Sequence, residues 1–161
     1  MRRRPYRGGF TLIEIAIAIL ILMLILMIGV PSMSGVMADR RLRRSLDDLN
    51  MLVRTAQERA VHERRPYLIV WEKDQLVLRP ESFGPEEDEG AKTVTLPMQK
   101  GDALLLQLPA ALLEKTAPEW VFWPSGTCEP AVISFKGADG SWSATYSMLT
   151  ARPQITSYAA R

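Results

Sequence analysis

The residues that could carry chemistry in this chain are few, and most of them stand alone. Glu14 is the only charged side chain between Phe10 and Val30. A carboxylate within an apolar run is costly to place in a membrane and usually marks a functional contact, so Glu14 is a candidate partner for a cation. His62 and Cys128 are the only histidine and cysteine. One chain therefore cannot supply a zinc site rich in these residues.

The sequence predicts no enzyme, no cofactor and no metal site. Ser125 lacks a G-x-S-x-G context, and the only histidine lies in an arginine-rich segment, so a Ser-His hydrolase is not expected. No phosphate-cradling glycine loop is present. The acidic run 86–89 lacks EF-hand spacing, which favours a solvated loop over a calcium site. Cys128 cannot form an intramolecular disulfide. We expect it to be a buried apolar residue rather than a reactive or intermolecular thiol.

The apolar run predicts a membrane segment over residues 10–31. A helix from Phe10 to Val30 would span roughly 31 Å, about the thickness of a bilayer core. The preceding arginines favour a cytoplasmic amino terminus; they are Arg2, Arg3, Arg4 and Arg7. The alternative interpretation is a secretory signal peptide, which would have its cleavage site after the apolar core, beside small residues. Gly29 and Pro31 predict a helix break, because proline cannot donate the backbone hydrogen bond.

The segment Gly9-Phe10-Thr11-Leu12-Ile13-Glu14 resembles the processing motif of type IV prepilins and type II secretion pseudopilins. The resemblance implies that prepilin peptidase cuts between Gly9 and Phe10 and methylates the new amine of Phe10. Residues 1–9 would then be a cleaved basic leader. It further implies that Glu14 meets the terminal amine of a neighbouring subunit and sets the register of assembly. A carboxylate that only reaches the headgroups, or pairs with its own amine, is the alternative.

Residues 32–65 are predicted to form an amphipathic helix that continues into the periplasm. Apolar residues recur at spacings of three and four, at Leu42, Leu46, Leu49, Val53, Ala56 and Ala60. The stripe is short and ends in alanines, which favours packing on the chain's own sheet over a coiled-coil seam. The arginines of segment 40–44 would contact lipid headgroups or a neighbouring subunit, or would simply be solvated.

From residue 66 the hydrophobic period changes from 3.6 to 2, which predicts a β-rich globular domain over residues 66–161. Predicted strands cover 67–71, 76–79, 92–96, 103–108, 119–123, 131–136 and 142–148, with one or two helical turns at 110–115. In the last of these strands, Trp142, Ala144, Tyr146 and Met148 are predicted to face one way. A long helix followed by antiparallel strands gives an α+β, type IV pilin-like fold in which the helix covers one sheet face.

The carboxyl-terminal half narrows the resemblance. Residues 120–126, 131–135 and 140–142 are similar to the strand, loop and strand pattern of H-type minor pseudopilins, which are grouped with FimT-like minor pilins. Residues 54–60 resemble the helix end that precedes the first strand of this group. Ala151-Arg152-Pro153 stands where a glycine is common near the last strand, which leaves the form of that strand open.

Charge and resemblance together define the expected partners and location. Segment 66–161 carries 8 basic and 12 acidic side chains, so broad nucleic-acid binding is not expected. The resemblance implies an inner-membrane protein with a periplasmic head. Its partners would be prepilin peptidase, other pseudopilins, membrane lipid and the inner-membrane secretion platform. The expected function is that of a minor pseudopilin at or near the pseudopilus tip. The alternative is a FimT-like minor pilin in pilus assembly or DNA uptake, with Arg152 and Arg161 as a small local basic site.

Overall fold

The computed structural model describes residues 11–84, 93–109 and 118–161, and for residues 28–34 it describes the backbone alone. The chain divides into two compact units, Met1–Met37 and Ala38–Arg161, and the second is called the head below. Within the described ranges, one α-helix, α1 (Leu12–Glu63), is followed by eight strands. They are β1 (Tyr67–Trp71), β2 (Gln75–Pro80), β3 (Val94–Pro97), β4 (Ala103–Gln107), β5 (Glu119–Phe122), β6 (Ala131–Gly137), β7 (Gly140–Tyr146) and β8 (Pro153–Ala160).

This element order confirms the predicted α+β class, with a long amino-terminal helix before antiparallel strands. Helix α1 ends at Glu63, two residues before the predicted limit of 65. Arg64 then takes a left-handed backbone conformation with φ of 52°, as is usual just past a helix end. Pro66 follows and cannot continue the helix. The change from helix to strand therefore occurs within three residues of the predicted position.

The predicted apolar stripe of α1 is buried in the head. All six of its members are at most 6% exposed: Leu42, Leu46, Leu49, Val53, Ala56 and Ala60. They form one hydrophobic cluster with side chains from the strands, including Ile69, Leu78, Ile133 and Trp142. The interpretation that the stripe packs on the chain's own strands is thereby confirmed, and the apolar area it removes from water stabilises the head.

The strands form two four-stranded antiparallel sheets, a division that the strand pattern did not predict. The β1 sheet has the order β3-β2-β1-β5, and the β7 sheet has the order β4-β6-β7-β8. Among the described residues, an isolated antiparallel bridge also joins Phe122 of β5 to Cys128. Aromatic side chains from both sheets meet in the core. The ring centroid of Trp120 lies 4.8 Å from that of Phe122 and 4.9 Å from that of Tyr146, within the range of favourable aromatic pairs.

The last two strands differ from expectation in one side chain and resolve one open question. Trp142, Ala144 and Tyr146 are buried as predicted, but Met148 is 49% exposed. That prediction was wrong because β7 ends at Tyr146, and the chain then turns through a hydrogen bond from Ala151 N to Ser147 O. Ala151 adopts a left-handed conformation with φ of 49°. The final strand β8 forms directly after this turn.

Candidate functional site

Thr11 caps the amino-terminal end of α1. The Glu14 amide donates to Thr11 O at 3.1 Å and lies 3.3 Å from Thr11 Oγ1, which accepts a second hydrogen bond. A threonine that caps the amide of the glutamate three residues later is half of a capping box. The sequence analysis missed this role of Thr11, although the spacing Thr-x-x-Glu signals it. Glu14 also stands in the first helical turn, where the helix dipole favours a negative charge.

Apart from Glu14, the large side chains of α1 from residue 12 to residue 27 form an exposed apolar surface around the helix. Each large apolar residue from 12 to 27 is at least 50% exposed: Leu12, Ile13, Ile15, Ile17, Ile19, Leu20, Ile21, Leu22, Met23, Leu24, Ile25, Leu26 and Met27. A helix that is apolar on all sides needs an apolar environment or partner. Among the described residues, no helix combines the length and the hydropathy that a membrane crossing requires.

Several predicted site residues remain untested. Gly9 and Phe10, the predicted cleavage and methylation site, lie outside the described residues. Gly29 and Pro31 lie within the bounds of α1, so the helix does not end at the predicted break, and a kink at these residues stays a prediction. The acidic run 86–89 and the predicted turns at 110–115 also lie outside the described ranges. In the described part of the chain, no cluster of three His, Cys, Asp or Glu residues could hold a metal ion.

Within the head, polar side chains of α1 make directed hydrogen bonds to the strands and turns. The Trp142 indole N–H donates to Ser45 Oγ at 2.9 Å, and the Tyr146 hydroxyl donates to Asn50 Oδ1 at 2.7 Å. Near the end of the helix, Gln57 Nε2 donates to Gly126 O at 2.5 Å. Trp142 and Tyr146 are fully buried in β7, so each bond satisfies a polar atom that would otherwise be costly to bury.

Two further contacts lie where α1 enters the head. The Asp39 carboxylate accepts hydrogen bonds from the Tyr158 hydroxyl at 2.8 Å and from Arg43 Nε at 2.9 Å. The bond from Tyr158, followed by that from Arg43, lowers the pKa of Asp39. Arg41 meets Asp139, in the β6–β7 turn, through Nε at 2.7 Å and through Nη2 at 2.6 Å. This two-pronged pair lowers the pKa of Asp139.

A cleft of about 230 Å³ opens beside α1 in the head. Its floor is apolar and includes Leu49, Leu76, Leu104 and Phe135, while its rim carries acidic and basic side chains. The volume is below the usual range for small-molecule sites, and the rim charges of both signs favour no one ligand. The cleft therefore defines no binding chemistry of its own.

Cys128 is fully buried, as predicted. Its thiol donates to Ser147 O at 3.5 Å, and burial is the main reason that its pKa rises to about 11. At neutral pH such a thiol is protonated, and the thiolate required for nucleophilic or redox chemistry is scarce. The geometry agrees with the apolar role proposed for this residue.

Comparison with known proteins supports the motif predicted at the amino terminus. The family described as "Prokaryotic N-terminal methylation motif" matches residues 4–30, which confirms the pilin-type motif predicted there. Among solved structures, the chain is similar to the minor pseudopilin EpsH from the type II secretion system of Vibrio cholerae. That match has a TM-score of 0.49 and 14% sequence identity, and it covers 71% of this chain and 94% of that one. No curated protein matches the sequence significantly.

Proposed function

We propose that the chain is a minor pseudopilin, a structural subunit that supports protein export by a type II secretion system. The observation that carries the proposal is the methylation motif at residues 4–30, whose apolar part forms an exposed helical surface from Leu12 to Met27. The α+β head, in which α1 packs on antiparallel strands, is the architecture that the pseudopilin resemblance predicts.

In this proposal the amino terminus matures before assembly. Prepilin peptidase cuts between Gly9 and Phe10 and methylates Phe10, which removes a leader containing four arginines. The mature amine then lies about one helical turn from Glu14. Membrane lipid and the helices of other pseudopilins cover the apolar surface of α1, and the secretion platform of the inner membrane receives the subunit. The head lies in the periplasm, at or near the tip of the pseudopilus.

Processing is tested by the intact mass of the protein purified from membranes of its own host. We expect a mass that lacks residues 1–9 and includes one added methyl group. A matched Gly9→Leu variant should keep the leader, since the peptidase is expected to need the glycine before its cut. A wild-type chain that retains residues 1–9 would contradict the proposal.

Two substitutions distinguish the role of the Glu14 charge in assembly from the role of this residue in capping the helix. Glu14→Gln keeps a residue that suits a capping box but removes the charge, whereas Glu14→Ala removes both. We expect both variants to insert into the membrane and to enter assemblies poorly, as measured by cross-linking to the major pseudopilin. Normal incorporation of Glu14→Gln would refute pairing of the charge with a neighbouring amine.

A deletion strain distinguishes the secretion role from the pilus role. Loss of secreted proteins with normal surface pili, restored by the wild-type gene, is the expected result. Normal secretion with lost pili or lost DNA uptake would instead assign the chain to the FimT-like minor pilins. That outcome would leave the processing and Glu14 predictions intact.

A further inference from the structure

Strand β8 is a long edge of the β7 sheet. It comprises eight residues, and among the described residues it pairs with β7 alone. Seven of its eight side chains are exposed, whereas those of β7 alternate between buried and half-buried. The free edge therefore presents unpaired backbone groups that another strand could extend, with both faces of β8 open beside it.

The edge lacks the charges that usually prevent strand addition. No residue from Pro153 to Ala160 carries a formal charge. Natural edge strands are commonly short, bulged or charged, which discourages pairing with other chains. By comparison, β3 and β5 have four residues each, and β5 carries Glu119. β8 is twice as long. The features of β8 that discourage pairing with another chain are Pro153 at its start and the register shift opposite Ser143 and Ala144.

The strand is held in place from its inner face. Tyr158, directly opposite Trp142, donates its hydroxyl to Asp39, and the Arg43 guanidinium lies 5.7 Å from the Tyr158 ring centroid. The backbone amide of Arg161 donates to Asp139 O at 2.9 Å. A preformed strand loses less conformational freedom when a partner pairs with it.

The charges at the two ends of β8 restrict which partner fits. Arg152 precedes the strand and Arg161 follows it, and both are exposed. If two copies paired antiparallel with full overlap of residues 153–160, Arg152 of each copy would face Arg161 of the other at both ends. Like charges directly opposite one another destabilise a strand pair. A second copy is therefore disfavoured, and acidic residues at both ends of a different strand are favoured.

We propose that the free edge of β8 binds an extended segment of another protein, uncharged over about eight residues and acidic at both ends. The segment adds a fifth strand to the β7 sheet, and Arg152 and Arg161 select its terminal carboxylates. The inference does not depend on the secretion or pilus role, because it concerns the purified chain and a peptide.

The probe is a synthetic peptide of alternating threonine and valine with a glutamate at each end. A second peptide has lysines at its ends. With the full chain in detergent, we expect the acidic peptide to protect from hydrogen exchange those amides of residues 157–160 that point to the free edge and are not already bonded to β7. It should bind about tenfold more tightly than the lysine peptide, because two cross-strand charge pairs change sign.

Charge reversal provides the decisive control. The double variant Arg152→Glu with Arg161→Glu should prefer the lysine peptide, whereas Lys73→Glu with Lys100→Glu makes the same change in net charge elsewhere and should retain the original preference. Both lysines are exposed in the turns before β2 and β4. Absence of protection at β8 with either peptide would overturn the proposal. So would an unchanged preference in the arginine double variant, or protection that depends on protein concentration without peptide, which would indicate a second copy.

Discussion

The Tyr146 hydroxyl donates a 2.7 Å hydrogen bond to Asn50 Oδ1, and this bond joins residues 96 positions apart. Tyr146 is fully buried in β7, and burial raises its pKa. The bond therefore satisfies a hydroxyl that has lost its water, and it fixes the position of α1 on the β7 sheet at that point.

Asn50→Ala should destabilise the protein by about 1–3 kcal/mol, because it leaves the buried hydroxyl of Tyr146 unpaired. The measurement is urea unfolding of the full chain in detergent. In the double variant Asn50→Ala with Tyr146→Phe, much of that loss should be recovered, since no hydroxyl remains to be satisfied. Simple addition of the two single effects would show that the bond contributes nothing.

Gly140 should tolerate no side chain. Its φ is 142°, and a Cβ there would overlap the carbonyl oxygen of Ala159 and lie 3.0 Å from Leu42 Cδ2. We expect Gly140→Ala to cost at least about 2 kcal/mol of stability, from backbone strain together with the clash.

Gly35 is the matched control, because a Cβ at this position in α1 meets nothing within 4 Å. Gly35→Ala should be neutral or stabilising, since alanine favours helix more than glycine does. Equal stability of the two alanine variants in thermal unfolding would show that the β7–β8 contact at Gly140 is looser than the structure indicates.

Acidification should weaken the contact between α1 and the β6–β7 turn. The pKa of Asp139 is held below its ordinary 3.8 by the hydrogen bond from Arg41. A carboxylate with a depressed pKa adds stability above its unfolded pKa, and that stability is lost as the pH falls through the folded pKa. The unfolding midpoint should therefore fall below about pH 5 more steeply in the wild type than in Asp139→Asn. Parallel pH profiles would contradict this assignment.

Cys128 should resist alkylation in the native protein. Its side chain is fully buried and its pKa is about 11, so both access and thiolate are limited at pH 8. Iodoacetamide labelling followed by mass spectrometry should be slow, and the same protein in denaturing urea provides the control. Labelling at equal rates in the two conditions would show that the core around Cys128 opens readily.

Patterns of apolar residues were enough to predict the main elements of the head. The stripe from Leu42 to Ala60 lies where its period placed it, and Tyr67–Trp71 forms the buried strand that its β-branched and aromatic residues predicted. These patterns are informative because burial acts on every third or fourth residue of a helix and on every second residue of a strand. They carry no information on which strand pairs with which, so the division into two sheets was not predictable.

The hydrogen bonds between polar side chains of α1 and the rest of the head could not be predicted from the sequence either. Ser45, Asn50 and Gln57 are ordinary polar residues for an amphipathic helix, and only the structure shows which group of the strands and turns each one meets. Thr11 is the exception, because its spacing to Glu14 follows a known helix-start pattern. The exposure of Met148 was missed because the alternation continues in the sequence after the strand has ended.

The hydrogen bonds that join Asp39, Ser45, Asn50 and Gln57 of α1 to the rest of the head have a further consequence. They are spread along α1 from Asp39 to Gln57 and reach strands β7 and β8 and the turn at Gly126, so no single bond alone holds the helix on the strands. Loss of any one of these four bonds leaves the other three to keep α1 in place on the strands. Segment 38–63 of α1 and the strands of the head are therefore expected to move together as one unit.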